Sequence, residues 1–216
     1  MNDYITPNRD RSALITIDMQ RDFVLPGAPA EIAGTARIVP VLEQVASAFR
    51  KQGLPIVHVV RLYLPDGSNA DLCRRKIIVD GKQIVTPGSS GAELVDELKP
   101  SLDVHLDPTL LLSGGLQSVG DKEWILYKPR WGAFYSTTLE AHLHRIGVDT
   151  IVVGGCNFPN CPRTTIYEAS ERDFKVMLIT DAVSGLYEHG IKELKNIGVV
   201  LMTTAEVIKW CSAASA

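Results

Sequence analysis

The sequence predicts an α/β fold, a three-layer sandwich in which a roughly six-stranded parallel sheet carries helices on both faces. Short apolar runs rich in β-branched residues alternate along the chain with longer amphipathic segments of helical period. Glycine and proline residues mark many of the boundaries between these segments, and no repeat or linker interrupts the alternation. Residues 1–216 are therefore expected to form a single domain.

The first half of the chain is expected to contain two strands separated by one long helix. The first strand covers residues 12–18, which are mostly apolar and end in an acid, and the second covers residues 55–62. Between them, residues 35–52 place apolar side chains at helical spacing. Residues 63–90 show no clear period, although a small hairpin around Asp80 and Gly81 fits the end of this stretch.

The second half alternates more regularly between the two kinds of element. Strands are predicted at residues 123–127, 150–153, 175–180 and 199–203. Helices are predicted at residues 91–98, 137–145, 164–172, 188–197 and 205–210. Residues 110–120, which are rich in glycine and serine, are predicted to be a connection.

Composition excludes several classes of protein. The 216 residues are 45% hydrophobic and 22% charged, which is typical of globular rather than disordered chains. Lysine and arginine total 22 against 25 acidic residues, so no basic field indicates nucleic acid or a membrane surface. The longest apolar runs are far shorter than the roughly 20 residues of a membrane span, and no signal peptide is visible. Four cysteines are too few for a disulfide scaffold, so we expect a cytoplasmic protein with free thiols.

Three reactive side chains fall after predicted strands, at the sheet edge where α/β proteins bind ligands. Asp18 ends the first strand, Lys128 follows residues 123–127, and Cys161 lies in the loop after residues 150–153. Because Pro162 favours the first turn of a helix, Cys161 is expected near a helix start, where the dipole stabilises a thiolate. A nearby lysine would lower the thiol pKa further, and an aspartate can accept its proton. A buried apolar cysteine and a solvated lysine are the alternative interpretation.

Four segments resemble the isochorismatase-like cysteine hydrolases, whose fold is a Rossmann-like α/β sandwich. Three of them contain the reactive side chains: residues 13–23 (ALITIDMQRDF), residues 128–137 (KPRWGAFYST), and residues 147–155 (GVDTIVVGG) with Cys161 six residues later. The fourth combines residues 174–176 with Asp181 and Ala182. All four follow the order and spacing of the family, and the resemblance is to its amidohydrolase branch.

The resemblance implies a catalytic triad in which Asp18 is the base, Lys128 orients and polarises, and Cys161 attacks a carbonyl to form a thioester. It also implies a non-proline cis peptide at Cys156–Asn157. The N–H groups of Asn157 and Cys161 would then form an oxyanion hole. No cofactor is expected. The implied partners are a small-molecule substrate and further copies of the chain, as a dimer or tetramer, with neither nucleic acid nor membrane.

Aromatic and basic residues near the triad are expected to line a substrate pocket. The five candidates are Phe23, Arg61, Trp131, Phe134 and Phe158. Arg61 is expected either to bind a substrate carboxylate or to form a surface ion pair. Gly132 stands where serine is common in the family, which is expected to leave room beside Lys128. The basic cluster at residues 74–76 is expected to be a solvated face, with an anion site as the alternative.

The function predicted from these features is hydrolysis of a small C–N amide, carbamoyl or ureido substrate. The isochorismatase branch instead cleaves a vinyl ether by acid chemistry, and a non-catalytic binding domain is a third possibility. Retention of Cys161 favours amide hydrolysis, because the acid mechanism has no use for a thiol nucleophile. The five histidines show no metal-ligand spacing, so no metal is expected.

Overall fold

A seven-stranded sheet forms the middle layer of the computed structural model, which describes residues 3–213. In chain order its strands are β1 (Ser12–Ile17), β2 (Ile56–Val60), β3 (Leu116–Gly120), β4 (Glu123–Tyr127), β5 (Thr150–Gly155), β6 (Lys175–Val183) and β7 (Val200–Met202). They lie side by side in the order β3-β4-β2-β1-β5-β6-β7, and all pairs are parallel except β3 with β4. The predicted α/β class is confirmed, with one antiparallel strand added at an edge.

Helices cover both faces of this sheet. They are α1 (Arg21–Val24), α2 (Thr35–Lys51), α3 (Leu72–Val79), α4 (Pro108–Leu112), α5 (Leu139–Arg145), α6 (Cys161–Ser170), α7 (Glu188–Asn196) and α8 (Thr204–Ser212). The buried side chains of α2 and α8 belong to one hydrophobic cluster, and those of α5, α6 and α7 belong to the other. The three layers predicted from the alternation of elements are therefore confirmed.

The burial of the central strand β1 explains why its sequence is mostly apolar. All six of its residues are buried. Because side chains alternate across a strand, Leu14 packs into the cluster that contains α2, whereas Ile15 and Ile17 pack into the cluster that contains α5 and α6. A strand covered on both faces carries its reactive groups just past its carboxyl end, which is where Asp18 lies.

Residues 63–90 differ from the prediction, because helix α3 replaces the expected hairpin. Only Ile78 among the α3 residues is buried, and three consecutive basic residues occupy the middle of the helix. A helix that buries one apolar side chain shows too little hydrophobic periodicity for the sequence pattern to identify it.

The helix expected at residues 91–98 is wrong, since two short 3₁₀ turns occupy Ser90–Ala92 and Asp96–Leu98. Between them, Leu94 forms an antiparallel bridge with Gln20. The Gln20 side chain also donates a hydrogen bond of 2.7 Å to the Ala92 carbonyl. These contacts hold the backbone extended where its side-chain spacing alone favoured a helix.

The predicted connection at residues 110–120 contains the end of α4 and the edge strand β3. None of the β3 residues is fully buried, and the pairing of β3 with β4 is interrupted by a register shift between Ser118 and Gly120. A polar, half-exposed and irregular edge strand lacks the apolar run by which the other strands are identified.

Within residues 3–213, no helix combines the length and the apolar composition needed to cross a bilayer.

Candidate active site

Asp18, Lys128 and Cys161 meet at the carboxyl edge of the sheet. The Lys128 Nζ atom lies 2.9 Å from Asp18 Oδ2 and 3.2 Å from Cys161 Sγ. Asp18 follows β1, Lys128 follows β4, and Cys161 begins α6 after β5, so the order of the strands brings together residues far apart in sequence. The ammonium group lies between the acid and the thiol, which is the arrangement expected of the triad.

Asp18 adopts a backbone conformation that is rare outside glycine, with φ of +52°. Its N–H donates a hydrogen bond of 2.8 Å to the Val59 carbonyl, which holds the residue in this conformation at the end of the strand. The Oδ1 atom of Asp18 is buried and has no hydrogen-bond partner in the described part of the chain. A buried carboxylate oxygen without a donor is available to accept a proton.

Lys128 has no exposed surface. Its N–H donates to the Val60 carbonyl at 3.0 Å, which continues the β2–β4 ladder past the end of β4. Burying an isolated ammonium costs several kcal/mol, so the buried charge of Lys128 depends on the neighbouring Asp18 carboxylate for its stabilisation. The alternative interpretation of Lys128 as a solvated strand end is therefore wrong.

The structure places Cys161 at the first residue of α6, with Pro162 in the first turn. The predicted acidic thiol is wrong, however, because burial and then the Asp18 charge raise the pKa of Cys161 to about 12, and Lys128 only partly opposes them. At neutral pH the resting group is a thiol. Its activation therefore requires a base when a substrate is attacked.

The expected cis peptide is also wrong, because Cys156–Asn157 is trans, as are all peptide bonds between the residues described. A trans bond avoids the roughly 3–4 kcal/mol that a non-proline cis bond costs. The loop is held instead by a 2.7 Å hydrogen bond from the Phe158 N–H to the Ser184 carbonyl. The Asn157 and Cys161 N–H groups donate to no acceptor among residues 3–213, so both are unpaired in residues that line one cavity.

A cavity opens over the thiol, with about 360 Å³ of empty space including its open mouth. Phe23 and Trp131 line it, as predicted. Phe134 and Phe158 do not line it, because both rings lie in the hydrophobic core. Phe134 packs on Phe174 and Phe158 packs on Tyr187, so the expected pocket wall is corrected for these two residues.

Arg61 lines the cavity, but it forms neither the surface ion pair nor an open anion site. The side chain is buried, and its Nη2 lies 2.5 Å from Asp71 Oδ2. Its other acceptors include the carbonyl oxygens of Lys128 and Arg130, at 2.9 and 3.1 Å. The charge of Arg61 and most of its hydrogen-bond donors are thus paired within the protein.

Asp71 and Arg74 are two of the charged residues at this cavity, and neither was predicted to line it. Asp71 precedes α3 and Arg74 lies in its first turn. The one signal for them was the basic cluster at residues 74–76, whose expected solvation holds for Lys76 but not for half-buried Arg74.

Gly132 does not leave free space for a ligand. A Cβ atom placed there would lie 2.1 Å from Glu168 Oε2. The Glu168 carboxylate occupies the position and accepts a 2.9 Å hydrogen bond from the Phe134 N–H. The absence of a side chain at Gly132 therefore serves packing against α6 rather than substrate binding.

Across residues 3–213, no three His, Cys, Asp or Glu side chains are grouped as ligands of a metal ion. His58 lies in the core, where its Nδ1 is 2.8 Å from Thr16 Oγ1 and its Nε2 is 2.7 Å from Glu123 Oε1.

Comparison with known proteins identifies the family. The Isochorismatase domain model matches residues 12–109 and 115–206. The chain is 33% identical over 201 residues to an Arabidopsis thaliana protein described as a probable inactive nicotinamidase, covering 90% of this chain and 93% of that one. It is 24% identical over 213 residues to an N-carbamoylsarcosine amidase of Arthrobacter, covering 94% and 72%.

Among solved structures, an isochorismatase family protein from Desulfovibrio vulgaris superimposes with a TM-score of 0.80 at 33% identity. That match covers 94% of this chain and 99% of the other. The chain therefore belongs to the isochorismatase family of hydrolases.

Proposed function

We propose that this protein is a cysteine hydrolase of a small C–N amide, carbamoyl or ureido substrate. The observation that carries the proposal is the position of Lys128, whose ammonium lies 2.9 Å from Asp18 and 3.2 Å from Cys161 beside a cavity. The similarity to an N-carbamoylsarcosine amidase supports the same reaction class.

In the proposed reaction, Asp18 Oδ1 accepts the thiol proton as Cys161 Sγ forms a bond to the substrate carbonyl carbon. The carbonyl electron pair moves onto oxygen, and the unpaired N–H groups of Asn157 and Cys161 are the donors proposed to stabilise that charge. Collapse of this tetrahedral intermediate breaks the C–N bond, and the proton on Asp18 passes to the leaving amine. Water then attacks the thioester with Asp18 again as the base, which releases the acid and restores the thiol.

Lys128 has two roles in this scheme. Its ammonium pairs with the Asp18 carboxylate, and its charge opposes the rise in the Cys161 pKa as the thiolate develops. Because Lys128 is fully buried, its ammonium cannot be displaced far from either partner.

A non-catalytic domain is the second candidate, favoured by the similarity to a protein described as a probable inactive nicotinamidase. The intact contacts among Asp18, Lys128 and Cys161 argue against it. Vinyl ether hydrolysis, the other alternative, would not require the thiol.

The test joins thiol labelling with turnover. We expect iodoacetamide to label Cys161, located by peptide mass spectrometry, and a panel of small amides and ureas to release ammonia. Cys161→Ala should lower turnover by at least about 10³-fold, since removal of the nucleophile abolishes covalent catalysis. The matched control is Cys73→Ala, because Cys73 is an exposed free thiol.

Full turnover by Cys161→Ala would exclude the thioester route, and turnover of isochorismate by that variant would establish the vinyl ether reaction. A protein that turns over neither class of substrate, and whose Cys161 reacts no faster than an ordinary buried thiol, would be a binding domain.

A further inference from the structure

One wall of the cavity is polar and takes no part in the proposed bond-breaking steps. It is formed by Arg61 and Tyr63, which follow β2, and by Asp71 and Arg74 at the start of α3. Some polar groups of this wall bind one another, and others have no partner. The polar groups without a partner indicate which chemical groups of a bound molecule the wall can bind.

Arg61 and Tyr63 already have partners. Arg61 Nη2 lies 3.2 Å from the Tyr63 hydroxyl and 2.5 Å from Asp71 Oδ2, and the Tyr63 hydroxyl donates to the same Oδ2 at 3.1 Å. Burial raises the pKa of Tyr63 to about 12, against the opposing effect of Arg61, so this hydroxyl stays protonated as a donor. These three side chains form a rigid scaffold in which Asp71 balances the Arg61 charge.

The other carboxylate oxygen of Asp71 is different. Asp71 is 7% exposed, and its Oδ1 is buried with no hydrogen-bond partner in residues 3–213. A buried acceptor left unpaired is destabilising, and a hydrogen-bond donor on a bound molecule would remove that cost. An N–H group of the substrate is the donor that an amide or ureido compound offers.

Arg74 is the second group without a partner. Arg74 is half-buried, and its guanidinium makes no hydrogen bond or ion pair within the part of the chain that is described, although its charge affects nearby Tyr63. Around the cavity, Asp18 is balanced by Lys128 and Asp71 is balanced by Arg61. The positive charge of Arg74 is therefore the unbalanced one, and a guanidinium favours a carboxylate that it binds through two hydrogen bonds.

We propose that Asp71 and Arg74 form a specificity subsite that selects substrates carrying both a carboxylate and an N–H donor. Arg74 binds the carboxylate, and Asp71 Oδ1 accepts a hydrogen bond from the N–H. The substrate class is thus a small amide or ureido acid rather than a neutral amide. This inference rests on the proposed function, since the subsite holds the part of the substrate remote from the carbonyl at Cys161.

The test uses three matched reagents that alkylate thiols. N-chloroacetylglycine carries the carboxylate and the N–H, N-chloroacetylglycinamide lacks the carboxylate, and N-chloroacetylsarcosine lacks the N–H. In each reaction the thiol proton passes to solvent, Cys161 Sγ forms a bond to the CH₂ carbon, and chloride leaves. The half-saturating concentration for labelling of Cys161, measured by intact-protein mass spectrometry, reports binding separately from the chemical step.

N-chloroacetylglycine should half-saturate at a concentration roughly tenfold lower than either analogue, as expected for one charge-assisted hydrogen bond. Arg74→Gln should remove the difference between the acid and the glycinamide. Asp71→Asn should remove the difference between the glycine and sarcosine reagents, because an amide that keeps its oxygen on Arg61 presents NH₂ where Oδ1 stood. Lys76→Gln is the matched control, since Lys76 is an exposed cation of the same helix and should change nothing.

Equal half-saturating concentrations for all three reagents with the wild-type protein would overturn the proposal, whether or not Asp71→Asn folds. A preference for the acid that survives Arg74→Gln would also overturn it. Failure of the proposed function is distinguishable, because then none of the reagents would label Cys161 selectively.

Discussion

The pKa of Cys161 depends on two neighbouring charges of opposite sign. Asp18 raises the pKa, Lys128 lowers it, and burial raises it more than either changes it. The same two residues form a buried ion pair, so removing one of them leaves the other uncompensated next to the thiol. Single substitutions at these positions should therefore shift the thiol pKa in opposite directions.

The first prediction follows from the opposite effects of Asp18 and Lys128 on the pKa of Cys161. The rate of Cys161 alkylation by iodoacetamide should rise with pH up to pH 10 without a plateau, because the pKa lies near 12. Asp18→Asn should lower the pKa by about one unit or more, since only the cation remains, and Lys128→Met should raise it. Peptide mass spectrometry across a pH series measures both profiles.

Exposed Cys73 serves as the internal control, because its own profile should not change among the three proteins. Thermal unfolding checks that each variant is folded. A shift of the Cys161 pKa in the same direction for both variants would contradict the assignment of the two charges. Asp18→Asn should nevertheless lose turnover, which separates its role as a base from its effect on the thiol.

At the residue scale, the sequence was sufficient to predict that Asp18, Lys128 and Cys161 lie together, because parallel strands end at one edge of the sheet. It was not sufficient for Asp71 and Arg74. Both residues lie at the cavity because of α3, a helix that the sequence pattern did not predict. The raised pKa of Cys161 also depends on burial of its side chain, which cannot be deduced from the position of the residue in the sequence.

At the scale of elements, a polar network joins the central strands on the way to the site. His58 of β2 bridges Thr16 of β1 and Glu123 of β4, at 2.8 and 2.7 Å. Glu123 also accepts 2.9 and 2.7 Å hydrogen bonds from Arg50 of α2. Since these strands carry Asp18 and Lys128 at their carboxyl ends, the network stabilises the register that places these two side chains together.

The second prediction concerns acid stability. Burial favours protonated Glu123, but hydrogen bonds from Arg50 and His58 outweigh it and lower the pKa to about 2. A carboxylate whose folded pKa is below its unfolded value contributes stability above about pH 4.5, which is lost as the pH falls towards 2. Glu123→Gln should lower the free energy of unfolding at pH 7 by about 3 kcal/mol, and by progressively less below pH 4.5.

Urea unfolding between pH 2.5 and 7 provides this measurement. Glu171→Gln is the matched control, because Glu171 is exposed at the end of α6 and should change the stability little. A constant difference between wild type and Glu123→Gln across the whole pH range would contradict the role assigned to the carboxylate.

The predicted elements matched the structure where each buried a full apolar face, as β1 and α2 do. They failed where long-range pairing decided the conformation. Leu94 is extended because it pairs with Gln20, more than seventy residues away, and β3 exists because β4 offers it a partner. Such pairings are properties of the assembled sheet and leave little periodic signal in the segment itself.

At the scale of the whole molecule, two hydrophobic clusters share one sheet. Each central strand contributes side chains to both, so neither cluster can be lost while the other persists unchanged. This continuity supports the prediction of a single domain. The expected dimer or tetramer and the cytoplasmic location stay predictions, and analytical ultracentrifugation decides the first of them.

The last prediction tests this cooperativity at the chain's final described helix. In α8, Val207 and Cys211 have no exposed surface and pack into the same cluster as α2. Asp181 in β6 accepts hydrogen bonds of 2.7 and 2.9 Å from the Thr204 N–H and hydroxyl, which attach the start of α8 to the sheet. Removing α8 would uncover apolar surface on α2 at the opposite side of the sheet from Cys161.

A chain ending at Met202 should therefore lose its cooperative urea transition, followed by far-UV circular dichroism and by the fluorescence of Trp124 and Trp131. The lost burial amounts to about 5 kcal/mol or more, which is comparable with the total stability of a typical domain. A chain ending at Ala213 keeps α8 and should unfold like the full-length protein. If the shorter chain retained a sharp transition and a selectively reactive Cys161, the sheet would be stable without α8, and the two clusters would not form one cooperative unit.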